Sequence, residues 1–186
     1  FIEIVNSLNN LTYDSVDQHL ELSKGTKASK YIKLGTWTLL YPNEEDFLKD
    51  KYENNLRQKH GFIMEGLNRK ELLKRDPLLG ENYNYGAEFR NHGWLTSPGN
   101  YMKELAKHFE QNGGKFIKEE VVDILDNKVI TKLNNSYEAD KIVISAGAWS
   151  GKILKFINHK TNLETERGYH LTLKDVNYMP SNPYAV

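Results

Sequence analysis

The chain has 186 residues, with 25 Lys and Arg against 25 Asp and Glu, so it can bury a sizeable core and has no net charge to draw it to nucleic acid or an anionic membrane. It has no cysteine, which excludes disulfides, thiolate metal sites and cysteine nucleophiles. No run approaches the roughly 18–20 apolar residues of a spanning helix, so the expectation is a soluble chain without a transmembrane segment.

In chain order, Ile2, Val5 and Leu8, then Val16 and Leu20, predict one or two helices over residues 1–23 that end near Gly25. Tyr31 to Tyr41 is rich in β-formers, and Gly35 within it marks a bulge or close packing. Asn43 caps a helix whose apolar face is Phe47, Leu48, Tyr52 and Leu56, and Gly61 ends it. FIMEGL (62–67) reads as a short strand. Asn68 with Glu71 three residues later predicts a capping box for RKELLKR (69–75), which Pro77 closes. Tyr83 to Arg90 and Gly93 to Thr96 read as two strands turning around Asn91 and His92, with His92 in solvent. Ser97 followed by Pro98 is a strong helix start, and Gly113–Gly114 stops that helix.

Residues 115–145 predict a strand and a small meander, with turns at Asp126–Asn127 and Asn134–Ser136. ADKIVIS (139–145) predicts a strand covered on both faces, running into Ala146-Gly147-Ala148 and a helix over 149–158. Ligands of open α/β sheets sit beyond the carboxyl ends of such strands, which makes Ser145 to Trp149 the candidate binding turn. Small residues at a strand-to-helix turn also serve packing alone. Glu166 to Leu173 alternates like another strand. The resulting expectation is mixed α/β, or α+β. Residues 1–96 and 161–186 make an antiparallel-sheet piece with helices, and residues 97–160 make an α/β lobe inserted in it.

Other constellations carry less. Six histidines show no metal-ligating spacing, so no metal site is predicted. His170, on the alternating stretch, is a pocket or a structural residue. Glu44–Glu45 and Glu119–Glu120 read as solvated, and so does the run Lys152, Lys155, Lys160; no acid–base pair and no catalytic residue is assigned. The chain opens on Phe1 inside an amphipathic pattern with no cap before it, which predicts a fragment of something longer.

Several phrases, in order, resemble the FAD-dependent amino-acid oxidoreductases of the glycine oxidase and D-amino-acid dehydrogenase type. They are TWTLLYPNEEDF, LLKRDPLLG, GWLTSPGNYMKELAKHFEQNGG and VVDIL…ADKIVISAGAWS…ERGYHLTL. The resemblance implies that residues 1–96 and 161–186 belong to a substrate domain and 97–160 to an FAD domain. It implies that the backbone of Val121, or of its neighbour Val122, holds the flavin adenine. The turn of Ser145, Ala146, Gly147, Ala148 and Trp149 would pass close to FAD. It further implies an amine or D-amino-acid substrate, oxidised by hydride transfer to flavin. A sarcosine- or 2-hydroxy-acid-type flavin dehydrogenase is the neighbouring alternative, and a non-catalytic module binding a small ligand or a protein is the other.

The dinucleotide fingerprint G-x-G-x-x-G is absent from these residues, so the central fragment is expected neither to hold FAD firmly nor to catalyse alone. Neither Arg90 nor Arg167 is expected to be the substrate-carboxylate clamp. A homodimer and a cytoplasmic location, peripheral to the inner membrane, complete the expectations.

Overall fold

The computed structural model describes residues 2–163 and 166–186. Phe1 of the expected 1–96 piece, and Glu164 and Thr165 of the expected 161–186 piece, lie outside the described residues. In chain order the larger elements are α1 (Ile2–Thr12), α2 (Ser15–Ser23), β1 (Ile32–Tyr41), α3 (Glu44–Lys49), α4 (Lys51–Lys59), β2 (Met64–Asn68), α5 (Arg69–Arg75), β3 (Tyr85–Leu95) and α6 (Pro98–Gln111). Then come β4 (Val121–Leu125), β5 (Lys128–Thr131), β6 (Ser136–Glu138), α7 (Ser150–Leu154) and β7 (Tyr184–Ala185). They form two compact units, Phe1–Gly114 with Val176–Val186, and Lys115–Asp175. The expected division at 96/97 and 160/161 differs from these bounds. Helix α6 falls in the larger unit, where Tyr101, fully buried, meets His19 of α2 through its hydroxyl at 2.9 Å from Nδ1.

The larger unit holds a four-stranded sheet in the order β2-β3-β1-β7, antiparallel except for the parallel β1–β7 pair. The expected turn at Asn91–His92 is not there. β3 runs unbroken, and the register passes from Gly35↔His92 to Trp37↔Phe89, so β3 spends one extra residue at Arg90–Asn91. Asn91 takes φ +60, a left-handed conformation that asparagine tolerates, and the extra residue becomes a bulge rather than a reversal. His92, expected in solvent, instead packs its ring against Trp37 and Phe89 at 5.9 and 6.3 Å between centroids. The long helix expected after Asn43 breaks at Asp50 into α3 and α4; the Asn43 cap and the Asn68–Glu71 capping box both form.

One sheet face buries Tyr41, Ala87 and Phe89 under Phe47 and Phe62. The other buries Leu40, Leu67 and Leu72 of α5. On this second face Glu88, 4% exposed, accepts two hydrogen bonds from Arg75 (2.7 and 2.9 Å) and one from Thr36 Oγ1 (3.1 Å). β7, which the sequence pattern did not announce, is docked by backbone and by the Asn182 side chain just before it. Thr38 N–H donates to Pro183 O at 3.1 Å, and Thr36 N–H donates to Asn182 Oδ1 at 3.3 Å. A side chain at Gly35 would crowd this contact, because an added Cβ would lie 2.5 Å from Asn182 Oδ1 and 2.9 Å from the Trp94 ring.

In the smaller unit β4, β5 and β6 form an antiparallel meander, turning at Asp126 (φ +52) and Asn134 (φ +61). Three expected strands are corrected here. Residues 115–120, ADKIVIS and 166–173 belong to no ladder among the described residues. ADKIVIS is not covered on both faces either, since Val143 is 84% exposed. Tyr169 and Leu171 are as open, and His170 is also exposed. An apolar pattern reports what a strand is fit to pair with, and no neighbouring strand reaches these segments within the unit. The expected 149–158 helix is shorter and split: a 3-10 turn Gly147–Trp149, α7, and a 3-10 turn Lys155–Ile157 that ends at left-handed Asn158.

Candidate functional site

All six residues singled out for cofactor contact lie in the smaller unit, on two elements: Val121 at the start of β4, and Ser145–Trp149 in the turn before α7, a helix that packs on β4. The turn is open. Ser145, Gly147, Ala148 and Trp149 are exposed and Ala146 is half-buried. Gly147 takes φ +54 with nothing within 4 Å of where a Cβ would stand. Two hydrogen bonds hold this shape: Trp149 N–H donates to Ala146 O (3.1 Å), and Ala146 N–H donates to the buried Ser150 Oγ (3.1 Å). Ser150 therefore orders the turn from beneath, a role that small-residue spacing did not reveal.

In the ladder Val121 and Val122 are not equivalent. Lys132 N–H donates to Glu120 O at 2.8 Å, while Thr131 N–H goes to Asn135 O at 3.0 Å on the side away from β4. Val121↔Thr131 is thus a non-hydrogen-bonded pair of the antiparallel ladder, and the N–H and C=O of Val121 point outward from the edge strand β4. Val122 is the bulged residue, opposite no partner.

Glu119, expected to be merely solvated, instead braces the chain just before β4, while Glu120 is exposed as expected. Glu119 accepts from Thr131 Oγ1 (2.5 Å), Asn135 Nδ2 (3.1 Å) and Tyr137 OH (2.9 Å). These bonds, Thr131 first, hold its carboxyl below the ordinary range and push the Tyr137 phenol up. Glu120 pairs with Lys132 at 3.1 Å. Their partners sit 12 to 18 residues downstream, beyond the reach of local spacing.

The residues fit a flat, bulky group without crowding it. An open strand edge offers a donor and an acceptor, and the small turn leaves its backbone accessible. No cluster of three His, Asp or Glu that could hold a metal occurs among the described residues.

Residues 5–185 match the family model for FAD dependent oxidoreductase. The chain belongs to that family. The chain is 27% identical over 173 residues to a D-amino-acid oxidase of Bradyrhizobium diazoefficiens, covering 91% of this chain and 41% of that protein. It is 28% identical over 151 residues to a monomeric sarcosine oxidase of Bacillus sp., covering 79% and 38%. Among solved structures, a glycine oxidase from Bacillus cereus is similar at TM-score 0.62 and 20% identity, over 83% of this chain and 43% of that one. An L-proline dehydrogenase from P. horikoshii is similar at TM-score 0.64 and 20% identity, over 80% and 42%. At these identities the structural likeness shows the fold, a mixed α/β arrangement of this flavoenzyme family. The chain spans about two fifths of the length of the curated relatives it matches.

Proposed function

We propose that the protein carrying this chain binds FAD and oxidises an amine or a D-amino acid. The larger unit is then substrate-domain structure, and Lys115–Asp175 is part of the flavin domain. Bound FAD supplies the chemistry by accepting a hydride from the carbon that bears the amine. This chain's own residues bind and orient. The Val121 N–H and C=O would hold the adenine, and the Ser145–Trp149 turn, small at its first four positions, would leave room beside it. Ser150 and Glu119 keep those backbones in place.

The outward-facing Val121 amide carries this reading, because an edge strand with a free donor and acceptor, braced by the Glu119 hydrogen bonds, is suited to an aromatic heterocycle. The unladdered segments 115–120 and 141–146 support it as well, since each is fit to pair with further strands. The likeness to a D-amino-acid oxidase supports the substrate class, and the likeness to a sarcosine oxidase favours a secondary amine as the second reading. Exposed Tyr169 and Leu171 support self-association as a homodimer. A cytoplasmic location, peripheral to the inner membrane, belongs to the same reading; among the described residues no helix is long and apolar enough to cross a membrane.

The test is the absorption spectrum of the purified protein that carries this chain, followed by anaerobic bleaching with D-amino acids, glycine, sarcosine and 2-hydroxy acids. A flavin spectrum bleached by D-amino acids is expected. Bleaching by sarcosine alone moves the assignment to the second reading, and a protein that takes up no flavin refutes both. Size-exclusion and cell fractionation check the dimer and the compartment.

A further inference from the structure

In the smaller unit the run ERGYHLTLK, residues 166–174, lies in neither helix nor turn, and its backbone makes no hydrogen bond among the described residues. Along an extended run successive side chains take opposite faces. Tyr169, Leu171 and Leu173 therefore share one face, and Glu166, His170, Thr172 and Lys174 share the other. The three apolar side chains are 89%, 85% and 69% exposed. The run stops at Asp175, where φ of +51 is left-handed and breaks an extended chain. Such a run, with its backbone donors and acceptors unpaired, is a template for another strand.

The charges point to which strand that is. Antiparallel pairing of the run with a second copy of itself is isologous, so every contact occurs twice about a two-fold axis. Full overlap of residues 166–174 puts that axis at His170, which faces its own copy. Glu166 then stands opposite Lys174 at both ends, and Tyr169 stands opposite Leu171 on either side of the centre. Opposite charges and aromatic–aliphatic pairs are the favourable cross-strand combinations. A slip of one residue either way sets apolar side chains opposite polar ones. One of those slips also brings Arg167 onto Lys174 and Glu166 onto Asp175, like charge on like.

We propose that Glu166–Lys174 is an intersubunit strand, pairing antiparallel with the same segment of a second copy and centred on His170. This deepens the homodimer reading above and rests on it, and it makes no use of the flavin.

Cysteine reads the register, because these 186 residues contain none. At the axis the two Cα atoms stand about 4.5–5.5 Å apart, within disulfide reach. The two copies of position 172 are four residues out of step, about 13 Å apart and beyond it. His170→Cys and Thr172→Cys, both at exposed positions, are made in the protein that carries this chain and oxidised beside the wild type. On non-reducing gels His170→Cys is expected to form a covalent dimer about tenfold faster than Thr172→Cys or the wild type. By sedimentation equilibrium, Glu166→Lys is expected to raise the dimer dissociation constant about tenfold. The exchange Glu166→Lys with Lys174→Glu is expected to return it to within about threefold of the wild type. A dimer that cross-links equally at 170 and 172, or that the double exchange leaves as weak as the single one, overturns the proposal and moves the homodimer to another face. A wild-type protein that sediments as a monomer overturns both.

Discussion

Arg75→Met isolates what holds the second face of the sheet. Glu88 is 4% exposed and faces Glu65 across the β2–β3 ladder, a like-charge pairing that is unfavourable by itself. Arg75 on Glu88 and Arg90 on Glu65 turn the two carboxylates into an alternating set of four charges. Removing one partner of a buried pair leaves an uncompensated charge and costs about 3–5 kcal/mol. Arg75 is one-third exposed, so water can reach the gap, and the lower end, about 3 kcal/mol, is the expectation here. For a unit of this size that corresponds to a melting point lower by roughly 10 °C. In a Glu88→Gln background, where no buried charge remains, the same change is expected to cost under about 1 kcal/mol.

The pH dependence has a definite sign. Burial raises the Glu88 carboxyl, but the hydrogen bonds and charge of Arg75, with Thr36, outweigh it and the net displacement is downward. A depressed folded pKa contributes stability that is present above the ordinary carboxyl value and lost as pH falls through the folded one. The wild-type advantage over Arg75→Met is therefore expected to be full at pH 7 and to shrink below about pH 4.5. Urea melts of the wild type, the two single variants and the double variant at pH 7 and pH 4 measure it. Equal costs of Arg75→Met in the wild-type and Glu88→Gln backgrounds would refute the reasoning, because the effect would then be lost packing of the arginine stem.

Two further outcomes follow from the larger unit. Gly35→Ala is expected to cost about 1–3 kcal/mol through overpacking against Asn182 and Trp94. It should strip hydrogen-exchange protection from the Thr36 and Thr38 amides, which are bonded to the β7 segment, while the β2–β3 amides keep theirs. Burial, then the hydrogen bond it donates to Asp50, pushes Tyr41 up to about 12. That raised value contributes stability fully present below pH 10 and lost as pH rises through about 12. Carbon-13 NMR of the tyrosine ring carbons reads the titration, and Asp50→Asn is expected to bring it part of the way back.

Local chemistry was legible in the sequence where both partners lie within a few residues. The Asn43 cap, the Asn68–Glu71 box, the Asp126 turn and the Pro98 helix start all depend on spacing of three or four at most. The bulge at Arg90–Asn91 was not legible, because a polar Asn-His pair between two β-rich stretches has the same composition whether the chain reverses or merely slips by one residue. Only the register with β1 separates the two. ADKIVIS failed for the opposite reason: its pattern is that of a two-sided strand, but a ladder needs neighbours, and hydrophobic order alone does not supply them. Glu119 looked like a solvated charge because its three donors come from β5, the following turn and β6.

The same distinction governs the site. From sequence, Val121 and Val122 are interchangeable, two adjacent β-branched residues in a short strand. The ladder makes them unlike, since Val121 turns its amide outward and Val122 sits in the bulge. If the backbone and not the side chain meets the cofactor, two substitutions at one position should part company in the flavin-bearing protein. Val121→Pro removes the N–H at an edge position where proline is tolerated, and FAD affinity is expected to fall about tenfold. Val121→Ala keeps the N–H and C=O, and affinity is expected to change less than about twofold, with stability lowered by about 1 kcal/mol for the half-buried methyls. Fluorescence titration of the apoprotein with FAD measures both. If alanine weakened FAD as much as proline did, the side chain would be the contact, and the outward amide would be no more than the free edge of a small sheet.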